Sequence, residues 1–172
     1  MYINQRNEKD CLQATLANLL SVEYESIPPF YEAYFKRMSD DDFLLELDTW
    51  LNSVGKYRIL FDVSIRDDGK IGIPFCCGLD AFLCIGILEK KGRKYSHAVL
   101  LRVSRNGKSF EIKIEHDPKP DSECDLFDLV QVEFVASQEC AVLAQEARQY
   151  NAECTGQQAT TATAQNSGRC KK

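Results

Sequence analysis

From Cys11 to Leu20 the chain sets Leu12, Leu16, Leu19 and Leu20 at helical spacing, with Ala14 and Ala17 between them, which predicts an amphipathic helix. Asp10 stands just before this run as an N-cap, so Cys11 falls at the first helical position. "SIPPF" then interrupts the pattern, and "PFYEAYFKRM" predicts a second helix with proline in its first turn. After "SDDD", Phe43, Leu47, Trp50 and Val54 mark one face of a third helix, Leu44 and Leu51 widen it, and Gly55 suits its C-terminal cap.

Beyond Gly55 the period changes from helical to alternating. Residues 56–65 ("KYRILFDVSI"), 80–90 ("DAFLCIGILEK"), 95–105 ("YSHAVLLRVSR"), 108–117 ("KSFEIKIEHD") and 128–135 ("DLVQVEFV") predict five strands, and "RDDGKIGIP" reads as a turn-rich connection. Residues 137–154 predict a last helix. The stretch 155–172 has no Leu, Ile, Val or aromatic residue and is expected to be disordered. Helices followed by antiparallel strands make an α+β domain over residues 1–154 with a disordered tail over 155–172.

Composition narrows the class. A net charge of −5 argues against a general nucleic-acid binder, which presents a basic surface. No apolar run approaches the roughly 20 residues of a membrane span, and the polar start "MYINQRNEKD" lacks the apolar core of an export signal, so a cytoplasmic protein with no membrane partner is expected. In that compartment the eight cysteines (Cys11, Cys76, Cys77, Cys84, Cys124, Cys140, Cys154 and Cys170) are expected as free thiols, mostly small buried apolar residues. No C-x-x-C pair occurs, which disfavours zinc, and no cofactor is expected. The sequence leaves the oligomeric state open.

The candidate chemistry begins at Cys11. A helix N-terminus carries partial positive charge and favours an anion, and a thiolate is one. The bland reading of Cys11 is a half-buried cysteine in a capping region, and a nucleophile needs a base to be more than that. The chain offers two histidines: His97, opening the apolar run "HAVLLRV", and His116, closing the next strand in "EHDPKP". A two-residue Asn106-Gly107 turn would pair Arg105 with Lys108, Val103 with Phe110, Leu101 with Ile112 and Val99 with Ile114. That register carries His97 to a position opposite His116, with Asp117 one residue on. Strict alternation then puts His116 on the face of His97, and Asp117 reaches that face only through a bulge or the bend favoured before Pro118. Asp117 and His116 both stand as the third member of a nucleophile–base–orienter set.

These residues carry a resemblance. A glutamine, five residues and then a cysteine opening a helix (Gln5 to Cys11, "DCLQATLANLL"), a histidine opening an apolar strand ("SHAVLLRV") and an acid at the end of the next strand ("EHDPKP") resemble the papain-like cysteine peptidases. The likeness is closest to compact bacterial and phage forms related to the leader-peptide peptidases of bacteriocin exporters, and it covers roughly residues 4 to 120. It implies a papain-like α+β fold, with N-terminal helices packed on an antiparallel sheet. It also implies a cysteine-dependent peptidase, amidase or isopeptidase acting on a peptide or protein. Cys11 would be the nucleophile, His97 the general base, Asp117 its orienter and Gln5 the oxyanion-hole donor. Acyl transfer of the transglutaminase or deamidase kind shares the thioester intermediate, and an inactive binding module is the third reading. Some features depart from the family: Leu12 stands where exporter peptidases carry glycine after the cysteine, and the third helix with its "SDDD" entry, the "GIPFCCG" loop and the region past Asp125 have no counterpart.

Overall fold

A computed structural model of the chain describes residues 1–30, 40–62, 64–65, 71–72, 81–92, 96–106 and 109–137. The expected helix after "SIPPF", the last helix and the tail fall on or largely on residues outside this set. The described elements are α1 (Cys11–Leu20), α2 (Asp40–Ser53), β1 (Tyr57–Asp62), β2 (Ser64–Ile65), β3 (Ile71–Gly72), β4 (Ala81–Leu88), β5 (His97–Asn106), β6 (Ser109–His116) and β7 (Leu129–Ala136). Five strands form an antiparallel sheet in the order β1-β7-β4-β5-β6. The domain is α+β, and no described helix is long and apolar enough to cross a membrane.

The sheet is apolar on both faces. On one, Leu12, Leu16 and Ala17 of α1 and Leu47 and Leu51 of α2 pack with Ile85 and Ala98. On the other, Cys84, Leu88, Val99, Leu101, Val103 and Val132 cluster with Ile59 and Phe134. Gly86 lies where a Cβ would come within 2.6 Å of the Leu101 side chain, so the strand needs glycine there for close packing.

α2 ends as its sequence indicates. Gly55 is left-handed (φ +70°), its N–H bonds to the Asn52 carbonyl at 3.0 Å, and the Lys56 N–H bonds to the Leu51 carbonyl at 2.8 Å. These are the paired bonds of a Schellman cap. The expected face is corrected at its end: Val54 follows the last helical residue and is exposed.

Two strand expectations also change. Residues 56–65 do not run as one strand, because β1 stops at Asp62 and Ser64–Ile65 pairs instead with Ile71–Gly72 in a separate two-stranded sheet. Part of the expected turn-rich connection is thus a strand.

The β5–β6 register differs more consequentially. Asn106 pairs with Ser109, so Val103 lies opposite Ile112 and Leu101 opposite Ile114, two residues away from the expected partners. Between Leu101 and Leu100 the register shifts by one more, and Leu100 lies opposite His116 with Glu115 as the extra residue. His97 therefore does not face His116; its described partner is Leu88 of β4.

Candidate active site

The extra residue in β6 decides which side chain reaches His97. A one-residue shift exchanges the two faces of a strand. Opposite Leu100, His116 shares the helix-covered face, and the next residue, Asp117, turns to the side of His97. The Asp117 carboxylate lies 2.7 Å from His97 Nε2. Asp117 is itself held: Oδ1 also accepts the Lys119 N–H at 2.7 Å, and Oδ2 accepts the buried Ser122 hydroxyl at 2.7 Å. The bond from residue i+2 is an Asx turn, suited to the "DPK" sequence. Burial pushes the Asp117 carboxyl up, but His97, Ser122 and the Lys119 N–H outweigh it and hold the group below its ordinary value.

Cys11 meets β5 where β6 leaves it. Beyond Leu100 the β5–β6 pairing ends, and α1 takes the backbone of residue 98. The Ala98 N–H donates to Cys11 Sγ at 3.4 Å, and the Ala98 carbonyl accepts the Thr15 hydroxyl at 3.1 Å. Cys11 and Thr15 are four residues apart and so lie on one side of the helix. The sulfur is thus fixed beside the residue that follows His97. Burial pushes the His97 imidazole down, but its hydrogen bond to Asp117, the neighbouring Cys11 and the charges on both reverse this and raise it to about 9. With Nε2 engaged by Asp117, Nδ1 is the ring nitrogen left for Cys11.

The loop ahead of Cys11 is tied from several sides. Asp10 occupies the N-cap position, but its side chain does not cap the helix. Its buried carboxylate turns back to accept the Arg6 N–H at 3.0 Å, the Asn7 N–H at 3.2 Å and the Tyr24 hydroxyl. This closes the five-residue spacer between Gln5 and Cys11 into a compact turn. The Gln5 N–H bonds to the Pro118 carbonyl at 3.0 Å, next to Asp117. Asn18 of α1 bonds both the N–H and the carbonyl of Ile3, at 2.7 and 2.8 Å.

His116 belongs to this seam. Its Nε2 lies 3.1 Å from the Ile3 carbonyl, its ring stacks on Tyr2 with centroids 4.8 Å apart, and the Tyr2 hydroxyl donates to Glu115 at 2.8 Å. The structure thus brings Cys11, His97 and Asp117 together, anchors Gln5 through its backbone, and gives His116 to the N-terminal segment.

No family model matches the chain, and neither a curated protein nor a solved structure does.

A cavity of about 310 Å³ opens beside Cys11, bounded by Leu12, Phe43 and Leu47 above and by Ile87, Gln131 and Glu133 of the sheet below. Cys11, only 5% exposed, lines this cavity. Sequence reasoning missed Glu133 and Ser122. Both carried a signal: Glu133 is a charge inside a strand of apolar residues, and Ser122 lies five residues after an Asp-Pro turn. Cys84 is a described cysteine of the opposite face. It lies fully inside the sheet's second core, where burial pushes its thiol up to about 12.

Proposed function

We propose that the protein is a papain-like cysteine hydrolase, cleaving an amide of a peptide or protein substrate through an acyl-enzyme. The observation that carries the reading is His97, bonded to Asp117 and followed by Ala98, whose N–H holds the Cys11 sulfur at the N-terminus of α1. The order Gln5, Cys11, His97, Asp117 and the packing of α1 on an antiparallel sheet support the papain-like assignment.

In this reading the Cys11 sulfur bonds to the substrate carbonyl carbon, and the carbonyl π pair moves to oxygen. The Gln5 side-chain amide and a backbone N–H at the start of α1 hold that oxyanion. Collapse breaks the carbon–nitrogen bond, and the His97 imidazolium gives its proton to the leaving amine. Water then attacks the thioester as His97 takes its proton, the acid leaves and the thiolate returns. Asp117 keeps the ring oriented throughout and stabilises its charged form.

The test is labelling of the purified protein with an electrophilic thiol probe in mildly acidic buffer. Rapid modification of Cys11, slowed strongly by His97→Ala and absent in Cys11→Ala, is expected. Cys11 reacting no faster than an ordinary peptide cysteine would remove the reading.

A further inference from the structure

The cavity beside Cys11 ends at a carboxylate that the fold leaves half satisfied. Glu133 sits in the middle strand pairings of β7, opposite Leu60 of β1 and Ile85 of β4. Its side chain is 7% exposed. Oε1 accepts from Arg58 Nη1 at 3.1 Å, whereas Oε2 is buried and has no hydrogen-bond partner among the described residues. Arg58 is already committed to Asp48 of α2, through Nε at 2.7 Å and Nη2 at 3.1 Å. The group holds two carboxyls to one guanidinium, and burial pushes the Glu133 carboxyl above its ordinary value despite Arg58. A buried carboxylate oxygen lacking a donor is unfavourable, and native proteins seldom leave one without a reason.

The surroundings fit a long cationic side chain. No Lys, Arg or His lines the cavity among the described residues, and Glu89 adds a second carboxylate to its wall. Leu12, Phe43, Leu47 and Ile87 give an apolar lining to the cavity that Cys11 and Glu133 share. Such a lining suits the methylene stem of Lys or Arg, with the charged head at Glu133. Ala98, which holds the Cys11 sulfur, lies opposite Ile87, and Ile87 lies opposite Gln131. Two strand spacings therefore separate Ala98 from Gln131, about 10 Å, with Glu133 two residues further along. The last torsion of a glutamate is soft, so Oε2 turns towards an arriving donor without displacing the backbone.

We propose that this cavity is the specificity pocket of the enzyme. It takes a lysine or arginine side chain of the peptide substrate close to the scissile bond, with Glu133 as the residue that recognises the charge. The inference rests on the hydrolase reading and adds the substrate class. Glu133 acts on binding alone and takes no part in the bond-breaking steps.

Epoxysuccinyl probes with a peptide arm on each side of the reacting carbon test it. Lysine or norleucine is placed in turn at the two positions nearest that carbon on either arm, and the rate of Cys11 alkylation is measured. At one of these positions lysine is expected to react at least about tenfold faster than norleucine, as for a site built around a polar group. In Glu133→Gln, which keeps the size and the Arg58 contact, the two rates should approach each other while alkylation by iodoacetamide stays unchanged. The lysine–norleucine contrast on the unaltered protein stands even where the variant does not fold. Equal rates at all four positions, with Cys11 reactive to iodoacetamide, would overturn the pocket and leave the hydrolase reading in place. A preference that survives in Glu133→Gln also overturns it. A Cys11 inert to every reagent removes the hydrolase reading, and the pocket assignment falls with it.

Discussion

The two ends of the β5–β6 ribbon obey different rules. At the turn end the ladder is regular from Asn106–Ser109 to Leu101–Ile114. Here the register differs from the simplest sequence reading by two residues, yet every side chain stays on its expected face. At the other end one extra residue, Glu115, exchanges the faces, turning Asp117 towards His97 and His116 towards the N-terminal segment. An even slip leaves the chemistry where it was, whereas an odd one rebuilds it, because side chains alternate with a period of two. The structural end of the ribbon tolerates ambiguity that the candidate site does not.

The largest effect expected is at the site itself. Cys11→Ala and His97→Ala should each reduce turnover of any substrate the protein cleaves by about 10⁴-fold or more, and the double variant should lose little further. Additive losses would show that the two residues do not act as a unit.

Removing Glu115 addresses the bulge directly. A folded deletion variant should return Asp117 to the other face and slow thiol-probe labelling by about 10²-fold, the usual consequence of a misplaced catalytic group. Unchanged labelling with native circular dichroism would mean that the bulge does not position Asp117.

Asp117→Asn keeps the shape and removes the charge. His97 carries its proton up to about 9 when folded, against an ordinary value of 6.5. The stability it contributes is therefore fully present below pH 6.5 and is lost as pH rises through about 9. In Asp117→Asn the imidazole should titrate at lower pH, and the fall in melting temperature across that window should shrink. Proton NMR of the two histidines follows both, with His116→Ala assigning the signals. An unchanged His97 titration would contradict the pairing.

His116→Ala should lower stability by about 1 kcal/mol through the lost Tyr2 stack and Ile3 contact, measured by denaturant titration, and should slow labelling only slightly. The smallest effect belongs to the turn end. Glu111→Ala, at an exposed position opposite Ser104, should change stability by less than about 0.5 kcal/mol and leave labelling unaltered.

Much of this arrangement could be read from residue patterns. The leucine spacing marks α1, Gly55 marks the end of α2, and alternation marks the sheet strands. Parity alone required a bulge if Asp117 was to reach His97. The two-residue slip was not legible, because Val103 meets an apolar partner whether it faces Phe110 or Ile112, and burial cannot choose between them. The side chain of Asp10 follows a tertiary preference over a local one: the buried Tyr24 hydroxyl and the preceding loop compete with the helix for its carboxylate. The Arg58–Glu133 pair joins residues 75 positions apart, and alternation along β7 marks Gln131 and Glu133 as a polar, outward face. The helices pack over that face through Leu12, Leu47 and Leu51, and Glu133 is buried there.

The lacing of residues 2–5 to residues 115–118 sets an order of events during synthesis. Cys11 is made well before the residues it meets in the fold, His97, Ala98 and Asp117. At about 5–20 residues per second, the interval from Cys11 to Asp117 lasts roughly 5–20 s. Through that interval Cys11 has no histidine beside it. The cluster of Cys11, His97 and Asp117 is complete only once the end of β6 has been made and meets residues 2–5.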